Sequence, residues 1–213
     1  MNMTVIPLMA LTAMSLSKPD RIARRSLFQI TVEQTYSSDG NIADVELTTR
    51  LEGEPRTYYL FNHGGRTLRE CLDESSGTDT VWTESVGRIL VSGLPSTLKH
   101  QKRQRYEQIA SKKELRVISG VECYPVRIDA HSHDLKFVDW VSARAPDEVV
   151  ASLTFLKGKL IHSIVHVERR TGRPEDLKIF AFPKDLPRVA TSRKALLSVC
   201  GQFILVPTFD LEG

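Results

Sequence analysis

Cysteine is scarce in this chain: Cys71, Cys123 and Cys200 are the only three in 213 residues, and none forms a CxxC pair. That excludes a disulfide-stapled small scaffold and a cysteine zinc site. It fits three reduced thiols in a cytoplasmic or other reducing compartment; in an exported chain, one bridge and one leftover thiol would be open. Long apolar runs are missing as well. The longest, residues 5–16 (VIPLMALTAMSL), is too short to span a bilayer. It has the length of a secretory h-region but no positive n-region before it. Residues 1–25 are therefore read as an apolar arm and basic connector, with a cleaved signal over residues 1–17 as the alternative.

Nucleotide and hydrolase signatures are absent too. There is no P-loop, no G-x-G-x-x-G and no G-x-S-x-G elbow. His63-Gly64-Gly65, without such an elbow, reads as a turn. No internal repeat and no alternation of strand and helix appears, which argues against a parallel nucleotide-binding sheet. No cofactor is implied. Nor is charge of one sign dominant: 29 Lys and Arg oppose 26 Asp and Glu, for a net +3. So small a charge gives little global steering toward nucleic acid.

What is present is period-two alternation. Phe28, Ile30, Val32 and Tyr36 fall on one face of a strand, then Val45, Leu47 and Leu51 on one face of the next. Asp39-Gly40 between them predicts a hairpin. Strands follow at residues 57–61 and 81–91, and again at 121–128, 135–141, 149–156, 160–167, 177–182 and 203–206. Residues 66–72 are ambiguous between helix and strand. Pro125 predicts an edge position or an irregularity, and Lys157-Gly158-Lys159 a hairpin turn. Ser192 is placed to cap a short C-terminal helix that Gly201 ends. The class is mainly β (α+β), an antiparallel sandwich, open barrel or curved sheet. Residues 26–213 form one domain.

Between the two halves, residues 96–113 are expected to form one polar, basic surface helix. Lys99, Lys102, Arg103, Arg105, Lys112, Lys113 and Arg116 give this stretch, counted to 116, a local balance of +5. Such a helix can meet phosphates of nucleic acid or lipid headgroups. Arg21, Arg24, Arg25, Arg169, Arg170 and Arg173 would extend the patch if the fold gathered them. The first expectation is thus a non-enzymatic structural or binding protein of matrix or adaptor type. It would contact an anionic partner (nucleic acid, a ribonucleoprotein or a membrane surface) and could form a homo-oligomer.

Two alternatives stand beside it. His131, His133, His162 and His166 could converge as metal ligands of a small enzyme if their strands are adjacent. The string from Ile128 to His133 resembles the HxH strand of metal-dependent amidohydrolases, but the residues left after it are too few for that family's barrel. The other alternative comes from the second half, which runs strand, Trp140, Pro146 break, then apolar hairpin. That order resembles the curved-sheet carriers of the LolA type, and implies an exported protein holding a lipid or hydrophobic ligand.

Overall fold

The computed structural model describes residues 26–53, 55–94, 107–130, 134–146 and 148–203. The strands, in chain order, are β1 (Leu27–Tyr36), β2 (Ile42–Glu52), β3 (Arg56–His63), β4 (Arg66–Asp73), β5 (Thr78–Thr83) and β6 (Ile89–Gly93). They continue with β7 (Glu107–Ala110), β8 (Arg116–Ile118), β9 (Val121–Ala130), β10 (Leu135–Ser142), β11 (Val149–Leu156), β12 (Lys159–Thr171) and β13 (Arg188–Ala190). One α-helix, α1 (Arg193–Cys200), and 3₁₀ segments at Glu84–Val86 and Pro174–Phe180 complete the described elements.

The strands form one open, curved sheet in the order β13-β6-β5-β4-β3-β2-β1-β12-β11-β10-β9-β7, with β8 also on β9. Two antiparallel meanders, β1 to β6 and β9 to β12, are joined where β1 runs along β12 from Leu27–Thr171 to Thr35–His162. Among the described residues only the β6–β13 pair is parallel. The expected hairpin turns form: Gly40 and Gly158 sit at φ +85° and +77°, where a Cβ would be strained. Residues 66–72 resolve as strand, because β3 and β5 pair with β4 on both sides.

Pro125 occupies an irregular position, as its lack of an N–H requires. Its carbonyl accepts the Ser111 N–H at 2.9 Å, on the side where β7 stops at Ala110–Val126 and β8 at Arg116–Cys123. The missing N–H therefore faces a gap in the ladder and costs no strand bond.

Two expected elements are corrected. The basic helix over residues 96–113 is not formed where the structure describes it. Glu107–Ala110 is a strand on β9, Lys112 and Lys113 lie in a turn, and Arg116 begins β8. The apolar stripe was narrow, so little side-chain burial favoured a helix, while the open edge of β9 offered backbone partners. Residues 177–182 are not a strand either. Pro174 opens a 3₁₀ segment that leaves Leu177 and Ile179 exposed and drives Phe180 to 2% exposure.

Among the described residues three apolar clusters hold the sheet. Phe61, Leu68, Val81 and Leu90 pack beneath Leu196, Cys200 and Phe203, which places α1 over β3 to β6. The Ser192 hydroxyl caps α1 by accepting the Ala195 N–H at 3.2 Å. On the second meander Cys123, Trp140, Val150 and Ala151 pack together, with the Arg116 guanidinium over the Trp140 ring. Between them Phe28 and Leu51 receive Phe180, so the 3₁₀ segment lies on β1 to β3. None of the described helices is long and apolar enough to cross a membrane.

Candidate functional site

Of the seven basic residues singled out between the two halves, Lys99, Lys102, Arg103 and Arg105 lie outside the described residues. Lys112 faces the Tyr124 ring and Arg116 the Trp140 ring. Glu114 is held by Arg127 in two bonds of 3.3 and 2.8 Å. Arg169 and Arg170 are likewise neutralised: Arg169 bonds Glu148 at 2.5 Å, and Arg170 reaches Glu168 and both oxygens of Asp176.

His131 and His133 also lie outside the described residues. His162 and His166 do share a face of β12, paired across from Thr35 and Thr31. Both are buried, at 2% and 9% exposure, whereas a solvent-facing strand would have left them open. Glu33 approaches His162 at 3.7 Å. Burial, then the charges of Arg169 and Arg50, holds the His166 imidazole down to about 4, so it is neutral near pH 7. Among the described residues no three His, Cys, Asp or Glu side chains group as metal ligands.

A second polar cluster lies beneath α1. Glu70 on β4 and Asp79 on β5 are 5% and 0% exposed, and Asp79 accepts a hydrogen bond from Arg193. Burial, and next the Asp79 charge, raises the Glu70 carboxyl to about 8; burial also raises Asp79. Two carboxyls beside one guanidinium are best satisfied with one proton retained. This cluster fastens the helix and offers no opening to a ligand.

Two open grooves flank the place where β1 begins and β12 ends. One, of about 470 Å³, is lined by Leu27, Ala145, Glu148, Arg169, Arg170 and Thr171. Its Arg169 is already paired with Glu148. The other, of about 450 Å³, has a floor of Leu51, Pro55, Tyr58, Pro174 and Leu177, with Arg56 and Arg173 among its lining. Leu51 and Tyr58 face each other across β2 and β3, and the Tyr58 ring packs tilted at 39° against Phe180, 5.9 Å between centroids. The Arg69 Nε donates to the Ile179 carbonyl at 3.0 Å, which pins the 3₁₀ segment that forms the wall.

Gly172 lets the two elements approach. A Cβ there would lie 2.5 Å from Leu51 Cδ1 and 3.2 Å from Ser26 Cβ. Arg56 is tied by its Nε to Asp73 at 2.7 Å. Arg173 makes no direct ion pair with a described carboxylate, but its charge joins that of Arg170 in holding the Asp176 carboxyl down, and its backbone N–H donates to Asp176 at 2.6 Å. Sequence reasoning places Arg173 in a basic patch and misses Arg56, Tyr58, Pro174 and Leu177. The only signal is Gly172-Arg173-Pro174, a bend that brings a cation beside an exposed turn.

No protein-family model matches the chain, and no curated protein sequence matches it. Solved structures do. An uncharacterized conserved protein from Thermus thermophilus is 12% identical, with 79% of this chain and 93% of that chain covered at a TM-score of 0.53. MucB is 13% identical over 76% of this chain and 59% of its own, at 0.43. A candidate outer membrane lipoprotein-sorting protein domain from Vibrio parahaemolyticus is 12% identical over 72% and 89%, at 0.29.

The reading of a basic helix on an anionic macromolecule, and the reducing compartment that went with it, are corrected here. The described part of the helix is absent. One neighbour is named for outer-membrane lipoprotein sorting, a setting that is said of that protein alone. The likeness to the Thermus protein is one of fold, an open antiparallel sheet shared at 12% identity.

Proposed function

We propose that this is an exported, non-enzymatic binding protein that carries a lipid or other hydrophobic ligand against its curved sheet. The observation that carries the reading is the open groove over Leu51, Tyr58, Pro174 and Leu177, which leaves an apolar strip beside the 3₁₀ segment. Its apolar floor includes Leu177, which stays 44% exposed although it would be better buried.

Mass spectrometry of the protein purified without detergent reads any bound lipid directly. Displacement of a fluorescent fatty acid then measures its affinity. Leu177→Asp is expected to weaken that binding at least tenfold while leaving the melting temperature within a few degrees, since the side chain is surface-exposed. Export is checked by the mass of the mature N-terminus: a chain that starts at Met1 in the producing cell removes that half of the proposal.

A further inference from the structure

We propose that α1 is a proton-locked clasp: it lies shut over the sheet while Glu70 and Asp79 hold one proton between them, and it lifts when that proton is lost. Glu70 on β4 lies opposite Val81, and Asp79 on β5 lies opposite Leu72, so the two carboxyls are diagonal neighbours on one face. Both are buried, and Glu70 Oε2 and Asp79 Oδ1 have no hydrogen-bond partner. Arg193, the first residue of α1, donates to the other Asp79 oxygen.

The remaining groups around the pair bring no second free cation. Tyr59 on β3 and Cys200 on α1 are pushed up by burial and stay neutral. On β6 the residue opposite Asp79 is the uncharged Ser92. Arg50 on β2 lies over the Tyr59 ring and is paired with Glu52. With Glu70 protonated, the buried set is therefore neutral, one carboxylate against one guanidinium. Burial and the Asp79 charge hold that proton up to about pH 8. Once it leaves, two carboxylates share one guanidinium out of water, a state that is costly until water reaches them.

α1 is the cover that can move without breaking an antiparallel ladder. Its eight residues are too few to persist as a helix alone. It follows Thr191, whose N–H donates to the Val91 carbonyl at 2.8 Å and forms the hinge. Beyond its far end the Arg66 guanidinium rests over the Phe203 ring. Lifting α1 hydrates both carboxylates and bares Phe61, Leu68, Val81 and Leu90. The clasp does not depend on what the open groove binds.

Hydrogen exchange of the full chain, read by mass spectrometry at pH 6.5 and 9 and corrected for the intrinsic rate at each pH, tests the clasp. Protection over residues 193–203 is expected to fall about tenfold or more at pH 9, while β10 and β11 stay within about twofold. Glu70→Gln, which keeps the shape and cannot ionise, should retain the protection at pH 9. Arg193→Gln should loosen the same residues already at pH 6.5, since it removes the cation bonded to Asp79. Unchanged protection of wild-type α1 at pH 9, or β10 and β11 loosening in step with it, overturns the proposal. So does a Glu70→Gln protein that loosens with pH as the wild type does. Should that variant fail to fold, the wild-type profile decides alone.

Discussion

Single residues carry the pH response of this molecule. Glu70 is raised from 4.5 to about 8 by burial and by Asp79, so its contribution is present below pH 4.5 and lost as pH climbs through 8. His166 works in the opposite sense. Its proton affinity is lowered from 6.5 to about 4, so the unfolded chain binds the extra proton and stability falls as pH drops from 6.5 through 4. Urea titrations across pH 4 to 9 should therefore show a stability maximum in the mildly acidic range. Glu70→Gln is expected to flatten the decline on the alkaline side and leave the acid side in place. An unchanged alkaline slope in that variant would show that Glu70 is not the titrating group. Gly172 is the other residue with a large expected effect. Alanine there forces Leu51 or Ser26 to move, and the cost is on the order of 1–3 kcal/mol in a denaturant melt. The sequence shows a glycine at this point but not the leucine opposite it, which comes from a strand over 100 residues earlier.

At the scale of elements, local signals were readable where local chemistry decides. Asp39-Gly40 and Lys157-Gly158 made their turns because positive φ favours glycine whatever surrounds it. Ser192 capped its helix because the bond to the Ala195 N–H spans only three residues. Ser192→Ala should lower stability by about 1 kcal/mol and, if α1 is the part that loosens, raise hydrogen exchange in Arg193–Cys200 first. Where distant partners decide, the sequence misled. Glu107–Ala110 has a helix-like composition, yet β9 supplied a ladder for it. The segment before Phe180 has strand-like alternation, yet Pro174 and the burial of Phe180 against Phe28 and Leu51 turned it into 3₁₀. The groove was illegible for the same reason: its floor joins β2, β3 and residues after β12, and no periodicity links those three.

For the whole molecule, the reading of one domain over residues 26–213 becomes a proposal about cooperativity. The two tryptophans sit in opposite meanders, Trp82 on β5 and Trp140 on β10, each 9% exposed and each in a different half of the sheet. If β1 and β12 weld the meanders into one unit, single-tryptophan variants (Trp82→Phe and Trp140→Phe) report the same unfolding midpoint, corrected for each substitution's own cost. Separate midpoints would mean that the meanders are two folding units that share an edge.

The sequence by itself determined the mainly β class, the hairpins, the short terminal helix and the lack of any nucleotide or serine-hydrolase motif. Each of these depends on spacings of a few residues, over which backbone geometry and side-chain period act directly. Only the tertiary structure decided that β1 joins β12, that the middle stretch pairs as strand where a helix was expected, and that His162 and His166 are buried. It also decided that Arg169 and Arg170 are neutralised and that Arg173 lies beside an apolar floor. Those outcomes turn on which strands become neighbours, and that is set by the summed burial and backbone pairing of the whole sheet.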